Sequence, residues 1–384
     1  MKTIRALHLA SFDGNIGDNA NHNGFYRHLQ EIPGFRFEIE SLEIREFYWK
    51  QRFFDESFVE LANRYDLLII GGGNYFELWV EHSPTGTSIM IEPELFKKIK
   101  PPVFFNALGV DPGQGASPEA CKRFRDFLSI VLDDPKNFLS VRNDGSMEAL
   151  GEHIGAEFAS HVTWTPDAGV CIEVDEDFSV IKPNRRYMAI NLAGDMLETR
   201  FPGSIGYIDS EAFSSAFAEV CEQMLSEGVV DEILFIPHIY IDLLFINSIL
   251  GHIPGSVIRR NISVAPMLHG EGSERKVFAL YQNAVISLCM RFHANLCSIG
   301  LGTPTIGLCN YRQIEKLYKE LKLEQYLIKT NKPDFSKKLT EKIRKIFKDY
   351  DAEKKFFEDN ALQAKISYRS SFDRFANWLN TIYC

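Results

Sequence analysis

Short apolar runs alternate with amphipathic stretches along most of the chain. Ile4–Ala10 reads as a first strand, followed by a Gly/Asn/Asp loop and a helix from about Asn19 to Glu31. Phe37–Leu42, Asp66–Ile70, Val103–Leu108 and Phe138–Val141 follow as strands, with helical patterns over Phe53–Asn63 and Cys121–Val131 among them. Nearly continuous apolar runs suit strands covered on both faces, and strands separated by helices pair in parallel. After an acidic, strand-poor stretch, Glu173–Asn184, the pattern restarts. Tyr187–Leu192, Glu232–Ile236, Ser263–Ala265, Ala284–Cys289 and Thr305–Leu308 read as strands, and Ser210–Ser226, Ile241–Leu250, Glu274–Asn283 and His293–Gly300 as helices. The expectation is an α/β protein of two Rossmann-like, doubly wound halves, 1–178 and 179–332. The tail, 333–384, carries three helical stretches at Phe335–Phe347, Ala352–Ala364 and Tyr368–Ile382.

Composition narrows the partners. The 384 residues fit two domains at roughly 100–200 residues each. A formal net charge of −10 argues against a nucleic-acid partner, which needs a basic footprint. Residues 315–355 run the other way, with 13 Lys/Arg against 8 Asp/Glu. That segment reads either as a solvated helical face or as a surface for loose contact with anionic lipid. No apolar run approaches the ~18 residues of a membrane span, and the start lacks a secretory pattern, so a cytoplasmic location is expected. The seven cysteines, from Cys121 to Cys384, form no Cys-x-x-Cys pair; buried free thiols are expected, and no metal site.

In open α/β sheets ligands bind at the carboxyl ends of strands, so the loops there are the places to search. Gly14-Asn15-Ile16-Gly17-Asp18-Asn19 follows the first strand and leads into a helix N-terminus, which favours anions. Gly71-Gly72-Gly73-Asn74 ends another strand; its glycines permit positive φ and let a ligand lie against the backbone. Arg142 follows Phe138–Val141, where a guanidinium can hold a phosphate or carboxylate or pair with Asp144. His238 follows Glu232–Ile236, with Asp242 four residues on. Arg291 and His293 follow the run Val285–Cys289; period two along an extended segment places them on one side, a fixed cation beside a titratable imidazole. Gly-x-Ser-x-Gly, the Walker phosphate loop and Gly-x-Gly-x-x-Gly are absent, which disfavours serine-nucleophile and dinucleotide chemistry.

In this order the loops resemble the polysaccharide pyruvyl transferase family. The matches are Gly14-Asn15-x-Gly17-Asp18, Asp66-Leu-Leu-Ile-Ile-Gly-Gly-Gly73, Ser140-Val-Arg142-x-Asp144, Pro166-Asp167, Arg291-x-His293-Ala294, Gly302-x-Pro304 and Tyr311. The loop after the restarted pattern's first strand reads Asn191-Leu192-Ala193-Gly194-Asp195, with Arg200 the nearest arginine downstream. The resemblance implies a GT-B-like arrangement, two Rossmann-like domains facing a cleft, with C-terminal helices crossing back over the first. It implies transfer of a pyruvyl group from phosphoenolpyruvate, a small anionic donor substrate, to hydroxyls of a glycan or lipid-linked sugar, with no cofactor. His293 and Arg291 take the catalytic roles. Arg142, His238, Asn15, Asp18, Gly72, Gly73 and Asn74 are candidate substrate contacts. The alternatives are a nucleotide-sugar glycosyltransferase on the same scaffold and a non-catalytic glycan-binding or scaffold protein. The oligomeric state is left open.

Overall fold

The computed structural model describes residues 1–182, 184–270 and 272–383; Cys384 lies outside the described residues. Among the described residues there are fourteen strands: β1 (Lys2–Ala10), β2 (Phe35–Glu43), β3 (Leu67–Gly71), β4 (Phe76–Glu77), β5 (Val103–Leu108), β6 (Val110–Asp111), β7 (Phe138–Val141), β8 (Thr163–Trp164), β9 (Tyr187–Asn191), β10 (Glu232–Phe235), β11 (Ile262–Val264), β12 (Ile286–Cys289), β13 (Thr305–Cys309) and β14 (Leu327–Lys329). The chain divides into two compact units. Unit 1 holds Met1–Asp13, Asn21–Ala168 and the residues from Ile366 onward; unit 2 holds Gly14–Ala20 and Gly169–Lys365.

In unit 1 a six-stranded sheet runs β2-β1-β3-β5-β7-β8, and all five pairings are parallel. β3, the run Leu67-Leu-Ile-Ile-Gly71, is buried throughout, as a central parallel strand must be. Strand order reverses beside β1, so the loops after β1 and β3 flank the switch point where such sheets take ligands. The helix Pro118–Asp133 begins where Ser117 Oγ accepts the Ala120 N–H at 3.2 Å and proline occupies its first turn; it buries Phe124, Phe127, Leu128 and Val131.

In unit 2 the order is β11-β10-β9-β12-β13-β14, again all parallel, with the reversal between β9 and β12. The apolar core joins Ile16 and Ala20 to Ala189, Leu234, Phe278, Tyr281 and Cys297. The six described cysteines are free and buried.

Some expectations needed adjusting. The first helix spans Ile16–Gln30 and starts earlier than Asn19, because Asn15 Oδ1 accepts the Gly17 N–H at 3.1 Å and starts the turn. The two expected terminal helices are one, Tyr350–Tyr383; Lys365-Ile366-Ser367 contains neither glycine nor proline to end it. Its last turns place Phe375 in a 4.1 Å stack on Phe104 and Tyr368 against His28, both within unit 1. Each such buried aromatic is worth on the order of 2 kcal/mol. The strands β4, β6, β8 and β14 went unread because two or three residues show no period. No described helix is long and apolar enough to cross a membrane. Much of the basic segment is engaged within unit 2: Lys329 with Glu315, Lys338 with Asp334, Arg344 with Glu227 and Lys355 with Asp359.

Candidate functional site

At the switch point of unit 2, four charged side chains close a compact network. Asp242, fully buried, accepts the backbone N–H groups of His238 (3.0 Å), Ile239 (3.1 Å) and Gly194 (3.0 Å). It thereby caps the helix Tyr240–Leu250 and pins the loop after β9. Arg291 Nε donates to Asp242 Oδ2 at 2.9 Å, and Nη2 donates to both Asp242 Oδ1 and Asp195 Oδ1, the latter at 2.7 Å. Arg200 approaches Asp195 from the other side at 3.5 Å and donates to Asn310 Oδ1 at 3.1 Å, with its guanidinium 5.3 Å from the Tyr311 ring. Burial works against the charged forms of this network, and the partners answer it. Arg291 still holds its proton more firmly than a free arginine because of Asp242 and Asp195. Asp195 sits below the usual carboxylate range: burial raises it, and Arg291 with Arg200 more than reverse that. For Arg200 burial dominates and its affinity for the proton falls. Arg291 Nη1 makes no hydrogen bond to a described residue, so the pinned guanidinium keeps one donor for a ligand.

The helix expected from His293 begins one residue earlier, at Phe292, after an Arg291 that is still extended. Arg291 is the N-cap of the helix Phe292–Gly300, and His293 lies in its first turn. The parallel ladder ends at Cys289, and Asn191 Oδ1 accepts the Arg291 N–H at 3.0 Å, turning the chain into the helix. His293 is buried, with Nδ1 3.7 Å from Asp18 Oδ1. Gly17 explains why the ring fits: a Cβ there would lie 2.6 Å from His293 Cβ and 2.7 Å from Nδ1. Asn15 sets this geometry by starting the helix that carries Gly17 and Asp18. His238 lies beneath, fully buried, with Nε2 2.8 Å from the Tyr281 hydroxyl and Nδ1 without a partner. Burial, reinforced by the nearby Arg291 and His293, holds His238 neutral well below its ordinary pKa. It is a support within the network, not an exposed contact.

Unit 1 gathers a second group. Arg142 is buried and donates from Nε to Asp144 Oδ2 at 2.7 Å; Asp144 also accepts from Ser146 Oγ. Asn74 Nδ2 donates to Asp111 Oδ2 at 3.0 Å. Asn74 and Arg142 converge over Gly109, where a Cβ would come within 2.3 Å of Asn74 Oδ1 and 3.0 Å of Arg142 Nη2. The glycine run does not leave its backbone open as expected. Gly71 and Gly72 do take positive φ, 154° and 86°, but their hydrogens face the protein itself. A Cβ at Gly71 would strike the Asn106 carbonyl at 2.2 Å, one at Gly72 would meet His22 at 2.9 Å, and one at Gly73 the Tyr75 ring at 2.5 Å. The run packs the strand ends together and aims Asn74.

The structure therefore joins Arg291, His293, His238, Asn15 and Asp18 in unit 2, and Arg142, Gly72, Gly73 and Asn74 in unit 1. Residues 15–311 match the sequence model of the family described as polysaccharide pyruvyl transferase. The chain belongs to that family. The matched span includes Asp18, Asp195, Arg200, Asp242, Arg291 and His293, the side chains of the unit 2 network, and for a pyruvyl transferase family member these are the residues to test first. No curated protein matches the sequence. Among solved structures the chain is similar to a putative UDP-N-acetylglucosamine 2-epimerase from Listeria monocytogenes (TM-score 0.56, 10% identity, 97% of this chain and 98% of that one). It is equally similar to a glycosyltransferase from Rickettsia africae (TM-score 0.56, 11% identity, 99% of each chain). At such identities the likeness shows the fold, the GT-B class built from two Rossmann-like units. Asp195 and Arg200 were not singled out from sequence as site residues. The signal available was only that they follow β9, the strand at the switch point.

Proposed function

We propose that this pyruvyl transferase family member moves a pyruvyl group from phosphoenolpyruvate to hydroxyls of a glycan or lipid-linked sugar, forming a pyruvate ketal. The observation that carries the reading is the pairing, at one helix start in unit 2, of a carboxylate-pinned guanidinium with a spare Nη1 donor and an imidazole set against Asp18. Arg291 Nη1 takes an anionic oxygen of the donor, and the network that pins the guanidinium removes the need to order it on binding. His293, loaded with a proton, delivers it to the donor's methylene carbon. The double bond's electrons form the new C–H bond, C2 becomes electrophilic, and an acceptor hydroxyl adds there. Phosphate leaves with the C2–O electron pair and takes up the first hydroxyl's proton; a second hydroxyl closes the ketal, and its proton returns to His293. Asp18 orients the ring by its place beside Nδ1, and Gly17 admits the ring to that place.

The test is turnover with phosphoenolpyruvate and a panel of saccharide acceptors, read as phosphate release and as mass added to the acceptor, alongside thermal shift with phosphoenolpyruvate or UDP-sugars. Stabilisation by phosphoenolpyruvate and acceptor-dependent phosphate release are expected. Stabilisation by a UDP-sugar alone, with sugar transfer, would replace this reading by a glycosyltransferase.

A further inference from the structure

In unit 2 the turn Gly203-Ser204-Ile205-Gly206-Tyr207 is exposed along its whole length. It is closed at its base by a bridge between Pro202 and Asp209 and by the Gly203 N–H on the Ile208 carbonyl (3.3 Å), and at its tip by the Tyr207 N–H on the Ser204 carbonyl (2.8 Å). Gly203 and Gly206 supply the positive φ values, 62° and 81°, that hold this shape. Ile205, at the tip, is 103% exposed and Tyr207 40%. A lone surface isoleucine needs no explanation, but its company does. The turn leans on the chain after β14. The Ile208 N–H donates to the Asn331 carbonyl at 3.0 Å. Lys332 Nζ donates to the Gly206 carbonyl at 3.3 Å and lies 3.4 Å from the centre of the Tyr207 ring. From Asn331 through the helix Phe335–Lys348 the chain carries seven Lys/Arg against two Asp/Glu. That helix buries Phe335, Leu339, Ile343 and Ile346, which leaves Lys337, Lys338, Arg344, Lys345 and Lys348 exposed, with Glu341 among them. Lys338 and Arg344 pair with Asp334 and Glu227, at the surface, where such pairs are weak. Lys332, Lys337, Lys345 and Lys348 make no ion pair among the described residues. Lys329, Lys332 and Lys338 line an open cavity of about 640 Å³ at the end of β14, with room for a phosphate head group.

We propose that this face of unit 2, the turn tip with the basic side of the helix Phe335–Lys348, docks on an anionic phospholipid bilayer. Ile205 enters the boundary of the acyl chains, Tyr207 sits among the head groups, and the unpaired lysines meet lipid phosphates. Charge complementarity selects the occupant. With a total of −10, the +5 of residues 331–348 leaves −15 on the rest of the chain, so a negative surface attracts this face against a repelled remainder. An apolar tip beside a cluster of lysines gives the two signals, burial and charge, that reversible bilayer binding needs. The face also adjoins the network around Arg291, since Asn331 Nδ2 donates to the Arg200 carbonyl at 3.3 Å. Docking rests on no particular chemistry at that network, so the pyruvyl reading can fail while the docking stands.

The experiment is co-sedimentation of the full chain with vesicles of phosphatidylcholine alone, or with about 30% phosphatidylglycerol, at about 0.1 M salt. Expected is binding to the anionic vesicles only, lost when the salt is raised about tenfold. Lys337→Ala combined with Lys345→Ala should weaken partitioning about 20-fold, near 5-fold for each lysine. Ile205→Ser should weaken it about tenfold or more. These side chains are exposed, so the thermal transition of each variant should match wild type. A wild type that ignores anionic vesicles, or variants that partition within about 2-fold of it, overturn the proposal. So does a wild-type dimer in sedimentation velocity that Ile205→Ser splits, with no vesicle binding, since the face would then hold a second copy of this chain. Anionic vesicles bound by a wild type that transfers sugar from a UDP-sugar would uphold the docking and remove only the pyruvyl reading.

Discussion

Both units place an arginine just past a strand at the carboxyl edge of a parallel sheet, and the two arginines live in different company. Arg291, in unit 2, meets two carboxylates, Asp242 and Asp195, and a second cation, Arg200, shares Asp195; the four formal charges cancel. Its side chain stays 13% exposed and keeps Nη1 for a ligand. Arg142, in unit 1, is 4% exposed and pairs with Asp144, while Asp111 and Glu77 add acid nearby. The same residue, past a strand at the switch point in unit 2 and two strands away from it in unit 1, thus serves two ends. In unit 2 the cation is balanced yet reachable, which suits a small anion. In unit 1 it is enclosed, and what stands at the edge is carboxyl and amide. This also resolves the overall acidity of −10: it does not oppose an anionic donor, because the cations that count are local.

The contrast can be broken, most sharply at His293. His293→Ala should abolish transfer, a loss of about 10³-fold or more, while circular dichroism and the thermal transition stay close to wild type. Turnover retained in that variant would move the chemistry elsewhere. Arg291→Ala leaves Asp242 buried among backbone donors without its cation and should destabilise by about 3–5 kcal/mol in denaturant unfolding. Arg142→Ala breaks a pair that is enclosed at least as deeply and should cost about as much, about 3–5 kcal/mol. A cost below about 1 kcal/mol would mean that Asp144 does not depend on its cation. Gly17→Ala drives a methyl into His293 and should lower kcat about tenfold or more, with little change in secondary structure.

A different kind of effect is a pH dependence confined to unit 1. Glu77 is raised above its unfolded value, so the stability it contributes is present below pH 4.5 and is lost as pH climbs through about 7. Unfolding at pH 5 and pH 8 should show Glu77→Gln gaining on wild type at the higher pH by about 2 kcal/mol. A gap independent of pH would mean that Glu77 titrates like an ordinary surface carboxylate.

Most of the scaffold was readable because parallel strands buried on both faces leave unmistakable apolar runs: Asp66–Ile70 and Val285–Cys289 announced both their strands and the loops after them. Arg291 and His293 were readable for the same reason. The helix start beside them was readable to within one residue; the group that holds it was not, since Asn191, whose Oδ1 accepts the Arg291 N–H, is 100 residues away. Asp195 and Arg200 acquire meaning only once β9 and β12 lie side by side. Glu77 is the extreme case: it sits on a two-residue strand, and its environment is assembled from Asp111, Ser88 and Tyr48, which the sequence scatters. The glycine run was recognised as special, yet its reason lies in Asn106, His22 and Tyr75, the atoms it packs against.

The central claim is that unit 2's switch point carries pyruvyl transfer. It is tested most directly by incubating wild type and His293→Ala with phosphoenolpyruvate and lipid-linked or free oligosaccharides and following the acceptor by mass spectrometry. The account predicts a pyruvate ketal on the acceptor, with one phosphate released per ketal, in wild type and none in the variant. An acceptor unchanged by wild type with phosphoenolpyruvate but extended by a sugar from a nucleotide donor would contradict it.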